Sequence, residues 1–406
     1  EKETEILYHQ MPVDLKDAFF ELVYYPVKGA SNMNKKVLYA YKSRIYAGQE
    51  RNSADIYADK AREAFQSIKS ETENYNHVIA NGKWNKMMSF HPRDLPVFEM
   101  PVVGHYDPVR GKGAGVIPEG YTEPVLQVHG FASLPAFNSR TRKSYFIDIF
   151  NSGRQPLKWE TRVEQPWVNL SKTSGVLYTE TRIMVTVNWE QLPQIDSVKA
   201  IINISIGDQK YGIQVQVLNL ALDTPDKKIF VEDNGVIAFE AENFSKLNNT
   251  ETASWLRIEG MGRTGEAMGT FPVNILPFSE TNEKKAPVLE YHFYSTSQGK
   301  AEALFYCLPN QPINSGYQLR FAACVDDEQP VVVNASLKAE MDEFNPEWQT
   351  NVLSSVSIHS FTFRLNKPGK HVLKIRMIDP GVVIDKIVIN RSGLKPSYFG
   401  STETRN

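Results

Sequence analysis

The hydrophobic pattern of this chain changes period once, and that change limits the folds open to it. Up to about residue 85, apolar residues recur every three to four positions, the spacing of amphipathic helices. From residue 123 onward they alternate, the spacing of strands with one buried face. Two architectures therefore follow one another. The run Gly82–Pro101, GKWNKMMSFHPRDLPVFEMP, sits at their junction and gathers Trp84, Met87, Met88, Phe90 and His91 beside three prolines. Such residues fill clefts, and they also seal contacts between domains.

Residues 1–102 read as a helical bundle. Asp14 is placed to cap a helix with Leu15, Ala18, Phe19, Leu22 and Val23 on one stripe, ended by Pro26. Met33, Val37, Tyr41 and Ile45 recur every four residues and Gly48 supplies a stop. Asn52 is placed to cap a third helix with the stripe Tyr57, Ala61, Ala64 or Phe65, Ile68, Thr72 and Tyr75. Glycines and prolines over 103–122 suggest a linker. Short alternating segments over 123–222 fit an immunoglobulin-like sandwich, and those over 223–393 a second two-sheet sandwich. A polar, irregular tail is expected over 394–406.

Composition removes several function classes. The 406 residues carry a net charge of −2, which gives no electrostatic case for nucleic acid or an anionic membrane. No apolar run reaches the ~20 residues of a membrane-spanning helix. The charged opening EKETEILYHQ is unlike a signal peptide, and the chain reads as the interior and tail of something longer. If residues 301–325 form a hairpin with its loop near 309–316, Cys307 lies far from Cys324 and no disulfide is expected.

Few motifs carry chemistry. Gly260, Gly262 and Gly265 match G-x-G-x-x-G, but the following EAMGTFP is too rich in Gly and Pro to open the helix a dinucleotide site needs. A glycine loop between strands is the expected reading. Glu240 and Glu242 project from one face of a strand, and Asp385 lies in the last strand. Together they could hold Ca²⁺, which favours several oxygen ligands, or they could form a solvated strand face. His91, Arg93 and Asp94 place an acid/base group, a cation and a carboxylate side by side, with no nucleophile motif nearby. Trp84 offers a flat ring suited to a sugar face or to a core.

The blocks AFFELVYYPVKGASNMNKKVLYA (18–40) and YNHVIANGKWNKMMSFHPRDLPVFEMP (75–101) resemble the helical domain of glycoside hydrolase family 115, the xylan α-1,2-glucuronidases. FIDIFNSGRQPLKWETRVEQPWVNLSKTSG (146–175) resembles the family's following sandwich. FEAENF, GRTG and DPGVVIDKIVIN resemble its C-terminal domain. The family's closing Tyr-Leu-Gly-Pro-Pro pattern stands here as Tyr398-Phe399-Gly400-Ser401.

The resemblance implies a helical bundle followed by an immunoglobulin-like sandwich and one like a carbohydrate-binding module. It places the catalytic acids on an upstream (β/α)₈ domain, so no catalytic residue is carried onto this chain. It implies support of that barrel, with Trp84 and His91 at most on the rim of its cleft, a homodimer contact, glucuronoxylan as substrate, and a periplasmic or secreted location. It also makes Glu240, Glu242 and Asp385 candidates for structural calcium, with no other cofactor required. Two further readings remain open: sandwich modules with their own glycan affinity, where Trp255 and Trp348 would be exposed, and a purely structural assembly module.

Overall fold

The computed structural model describes residues 1–108, 113–125, 132–222, 229–278, 285–336 and 345–405. It falls into two compact units, one of residues 1–135, 144–192 and 199–215, the other of residues 136–143, 193–198 and 216–406.

Helices open the first unit: α1 (Lys2–Gln10), α2 (Val13–Phe19), α3 (Tyr25–Gly48) and α4 (Ala54–His77). A π-helical turn, Phe20–Tyr24, carries the chain from α2 into α3. Pro26 therefore does not end a helix, as the sequence suggested. It stands in the first turn of α3, where its missing N–H is tolerated. Phe20 is buried among Tyr8, Tyr24, Tyr25, Tyr75, Ile79 and Trp84, while Leu15 and Leu22 of the expected stripe are exposed.

In α3 the buried face is polar: Asn32, Lys36, Ala40 and Ser43 point inward, and Tyr41 and Ile45 outward. This face is tolerated because its polar groups have partners. Asn32 Nδ2 donates to Ser67 Oγ at 2.9 Å, and Ser43 Oγ to the Ala40 carbonyl at 2.7 Å. Lys36 Nζ donates to the carbonyl oxygens of Val97 and Phe98 at 3.0 Å and of Glu99 at 2.8 Å, fixing that segment to α3. The α4 stripe is closer to expectation, with Ala61, Ala64, Thr72 and Tyr75 buried. Asn52 does not cap α4. Its Nδ2 donates to the Gly153 and Tyr178 carbonyls in the sandwich that follows, each at 2.9 Å.

In that sandwich, one sheet orders Ala114–Pro118, Tyr145–Asn151, Glu180–Val187 and Val168–Leu170. The other orders Ala132–Ser133, Gln209–Leu218, Ser197–Ile206, Leu157–Arg162 and Ser174–Leu177. Ala114–Pro118 lies inside the segment expected to be a linker. Its residues are all buried, so no alternation marked it, and Gly115 is required because an added Cβ would stand 2.2 Å from the Phe150 ring. Gly111, also part of that linker reading, lies outside the described residues.

The second unit packs two sheets face to face. One orders Phe230–Val231, Val288–Ser295, Gly369–Met377, Arg320–Val325 and Val331–Asn334, with Lys246–Asn248 also on Val288–Ser295. The other orders Ser254–Ile258, Ala267–Phe271, Val383–Asn390, Gly299–Cys307 and Ser357–Leu365, with Val236–Glu240 also on Val383–Asn390. Phe239, Trp255, Tyr291, Phe305, Phe321 and Ile375 fill the space between them. Residues 301–325 are not one hairpin: Cys307 and Cys324 belong to strands of different sheets, and both are buried thiols.

A helix not foreseen, α5 (Pro346–Ser354), starts where Asn345 Oδ1 accepts from the amides of Glu347 and Trp348 at 3.1 and 3.2 Å. The tail has no regular structure yet is packed. Leu394 joins Val236, Ala238, Tyr306, Val356 and Val388, and the buried Thr404 exchanges backbone hydrogen bonds with Val231 and Ala238.

His371 is buried beside the Phe293 ring, with Nδ1 2.7 Å from Asp326 Oδ2 and Nε2 3.0 Å from the Lys367 carbonyl. Both ring nitrogens face acceptors, so the imidazolium satisfies the site, and the Asp326 contact raises the pKa above 6.5. A raised folded pKa stabilises fully below the unfolded value and is lost as pH rises through the folded one. The urea midpoint of this unit is expected to fall between pH 6 and pH 9, by one hydrogen bond of about 0.5–1.5 kcal/mol. His371→Gln should flatten the dependence; an unaltered pH profile in that variant would refute the assignment.

Candidate functional site

The carboxylates singled out from the sequence lie under a glycine loop in the second unit, Asp385 against Gly262 and the two glutamates against Gly265. Glu240 ends the strand Val236–Glu240, Glu242 follows two residues on, and Asp385 lies in Val383–Asn390. The loop between Ser254–Ile258 and Ala267–Phe271 covers them and holds the G-x-G-x-x-G sequence, as the strand-to-strand reading expected. The glycines are needed for close approach. An added Cβ at Gly262, where φ is +109°, would stand 2.0 Å from Asp385 Oδ1. At Gly265, where φ is +58°, it would stand 2.4 Å from Glu242 Oε1 and 3.2 Å from Glu240 Oε2. Two carboxylates thus face one point.

The loop also supplies donors. The Arg263 amide donates to Asp385 Oδ2 at 3.1 Å, and Thr264 Oγ1 to Glu240 Oε2 at 2.9 Å. Lys386, its side chain only 3% exposed, places Nζ 3.0 Å from Glu240 Oε1. Asp385 Oδ1 and Glu242 Oε2 are buried without a hydrogen-bond partner. Burial pushes the pKa of both groups up. The Arg263 amide opposes the shift at Asp385, and the amides of Glu242 and Glu266 oppose it at Glu242. Glu403, bonded through Oε2 to Asn243 Nδ2 at 2.9 Å, is also raised by burial, with Glu240 adding to the shift.

The chemistry of the donors suits a hard cation: carboxylate oxygens, two of them unsatisfied. Their spacing is less complete, because among the described residues no group of three or more His, Cys, Asp or Glu side chains is gathered for a metal ion. Glu240 is engaged by Lys386 and Thr264, and Asp385 by the Arg263 amide. Sequence reasoning passed over Lys386, Arg263 and Glu403. Lys386 directly follows Asp385 and Arg263 lies between the glycines, but a cation within a strand or loop carries no signal of what it will pair with.

Trp84 and His91 belong to the first unit. Trp84 packs half-buried on the Phe20, Tyr75 and Ile79 cluster, with Lys83 Nζ 4.6 Å from its ring centre and its own Nε1 buried without a partner. His91 Nδ1 lies 3.0 Å from Asp94 Oδ1, and Nε2 2.8 Å from Glu99 Oε1. The segment is held by Asn76, whose side chain bonds both the amide and the carbonyl of Met88 at 3.0 and 2.9 Å. Ala80, Asn81, Lys86, Arg93 and Asp94 have left-handed φ, an unusual concentration for residues with a Cβ.

The fold is that of a helical module followed by two β-sandwiches. Residues 229–403 match the family model of the glycosyl hydrolase family 115 C-terminal domain. A solved structure described as a family GH115 4-O-methyl-alpha-glucuronidase, with specificity for decorated arabinogalactans, is similar over 96% of this chain at 20% identity and a TM-score of 0.51. This chain spans 31% of that structure's chain. A family 35 carbohydrate binding module from Clostridium thermocellum is similar over 38% of this chain and 96% of its own, at 12% identity and a TM-score of 0.25. The module CBM6cm-2 from Cellvibrio mixtus lichenase 5A is similar over 38% and 96%, at 14% identity and a TM-score of 0.24. No curated protein matches the chain.

Replacing Gly262 by Ala adds a Cβ to a left-handed position already in contact with a buried carboxylate. The second unit's urea unfolding free energy is expected to drop by about 1–3 kcal/mol. A drop no larger than that of Gly260→Ala, where nothing lies within 4 Å of an added Cβ, would show that the contact with Asp385 carries no strain.

Proposed function

We propose that this chain is the C-terminal accessory part of a glycoside hydrolase that removes (4-O-methyl)glucuronic acid side groups from xylan. The observation that carries the reading is the family 115 match over residues 229–403. In this reading the helical module (1–102), immunoglobulin-like sandwich (123–222) and C-terminal sandwich (223–393) support a catalytic (β/α)₈ domain of the same polypeptide. Trp84 and His91 reach the rim of its cleft, and the modules contribute to a homodimer. The parent enzyme works in the periplasm or outside the cell. An inverting glycosidase needs an acid and a base facing each other across the sugar, roughly 6.5–9.5 Å apart, and these are assigned to the barrel. The chain alone is therefore expected to release no uronic acid from glucuronoxylan or from a decorated arabinogalactan. Sustained release by the purified chain, measured by chromatography of the free acid, would overturn the proposal.

The unsatisfied oxygens of Asp385 and Glu242 favour a second reading, structural calcium held by these two residues with Glu240. A cation that binds only the folded form stabilises it by mass action. Calcium at about a hundred times its Kd should stabilise the second unit by ~2.7 kcal/mol relative to EDTA, and Glu242→Gln should remove the difference. Equal melting temperatures with calcium and with EDTA would dismiss the site.

A further inference from the structure

Trp255, a candidate sugar platform in the sequence, is wholly inside the core, and Trp348 on α5 is half-buried. The tail presents aromatic surface instead. Tyr398 and Phe399 are 55% and 58% exposed, with ring centres 5.1 Å apart and planes at 90°. Exposed side chains in an irregular tail would ordinarily be loose, but these are held from behind. The Arg263 guanidinium lies 3.9 Å from the centre of the Tyr398 ring and donates to the Tyr398 carbonyl. The same guanidinium bonds the Ser354 carbonyl at the end of α5, at 2.7 Å from Nε. Lys386 Nζ donates to the Phe399 and Ser401 carbonyls at 2.9 and 3.2 Å. Gly400, with φ of +72°, lets the chain pass close over Lys386 and Tyr306. Thr404, buried and bonded to Val231 and Ala238, anchors the far end.

We propose that the Tyr398–Phe399 pair receives a sugar ring of a polysaccharide, which stacks on one exposed ring face while the other ring, at 90° to it, closes the side, with Arg263 and Lys386 as positioning residues. The CH face of a pyranose is apolar and its rim carries hydroxyls. It therefore matches an aromatic ring face with a polar group at its edge, here the Tyr398 hydroxyl. Preorganisation suits a weak ligand of this kind, since the cost of ordering the rings is met when the tail docks and not when the ligand binds. The area favours a saccharide over a protein partner. An aromatic side chain buries about 150–250 Å² in full, so two half-exposed rings offer roughly 200 Å². Even with the exposed Leu353 next to Ser354, this is well below the ~800 Å² per partner of a stable protein interface.

The test is affinity electrophoresis of the full chain in gels containing glucuronoxylan, beside gels without it. The unmodified chain should be retarded, and Tyr398→Ala/Phe399→Ala should lose about tenfold in affinity. Lys386→Met, which keeps both aromatic side chains but removes the bonds to the Phe399 and Ser401 carbonyls, should lose affinity too. Should either variant unfold by circular dichroism, the unmodified chain decides: with ring-labelled tyrosine, the Tyr398 signal should shift on adding xylohexaose. Absence of retardation, retardation unaltered in the folded double variant, or an unmoved Tyr398 signal would each overturn the platform. So would a double variant that loses a dimer in sedimentation while binding no polysaccharide, which would make the rings a protein contact. Release of uronic acid is not read in this experiment, so its failure leaves the accessory role standing.

Discussion

The second unit depends on one constraint: two sheets must close face to face over a continuous aromatic and aliphatic core. The strands Ser357–Leu365, Gly369–Met377 and Val383–Asn390 follow one another in sequence yet alternate between the sheets. The apolar alternate residues of each are thereby aimed at the same space from opposite sides. Once that space is filled, the outer face of the sheet bearing Val383–Asn390 remains to be covered, and the tail covers part of it through Leu394, Gly400 and Thr404. The carboxylate cluster lies beside this covering.

Two cations, Lys386 buried and Arg263 half-buried, connect these layers. Lys386 faces Glu240 across neighbouring strands and reaches the carbonyls of Phe399 and Ser401. Arg263 gives its amide to Asp385 and its side chain to Ser354 and Tyr398. A buried ammonium or guanidinium is tolerable only where acceptors surround it, and here carboxylate and tail backbone share that task. The position of Tyr398 and Phe399 thus follows from charge compensation deeper in the domain. In the first unit Lys36 plays a comparable part, fixing the Val97–Glu99 carbonyls to α3.

Much of the strand pattern was legible. The alternating segments expected within 123–222 and 223–393 include FIDIF, IINISI, VLEYHFY and FTFRL, and these are strands, because alternating burial leaves a period of two in the sequence. Ala114–Pro118 was missed because it is buried on both faces, which erases that period. The face of α3 was misread for a related reason: its inward residues are Asn32, Lys36 and Ser43, whose burial is made acceptable by partners distant in the chain. At the candidate site, Glu240 and Asp385 lie in strands as expected, whereas Glu242 lies in a turn beyond the strand end and not on the strand face that alternation suggested. Lys386, Arg263 and Glu403 were not legible, because a charged residue shows its partner only after folding.

The sequence by itself determined the order of architectures, helices and then sheets, because hydrophobic period is a local property that survives without any knowledge of contacts. It also determined that the Gly260–Gly265 run joins strands and opens no helix, since the residues after it are poor helix formers. Only the tertiary structure decided which aromatic rings face water. Trp255 is carried into the core by sheet packing, and Tyr398 and Phe399 are held outward by Arg263 and Lys386. The reason is physical: exposure is the remainder after distant segments have packed, and no local pattern encodes it.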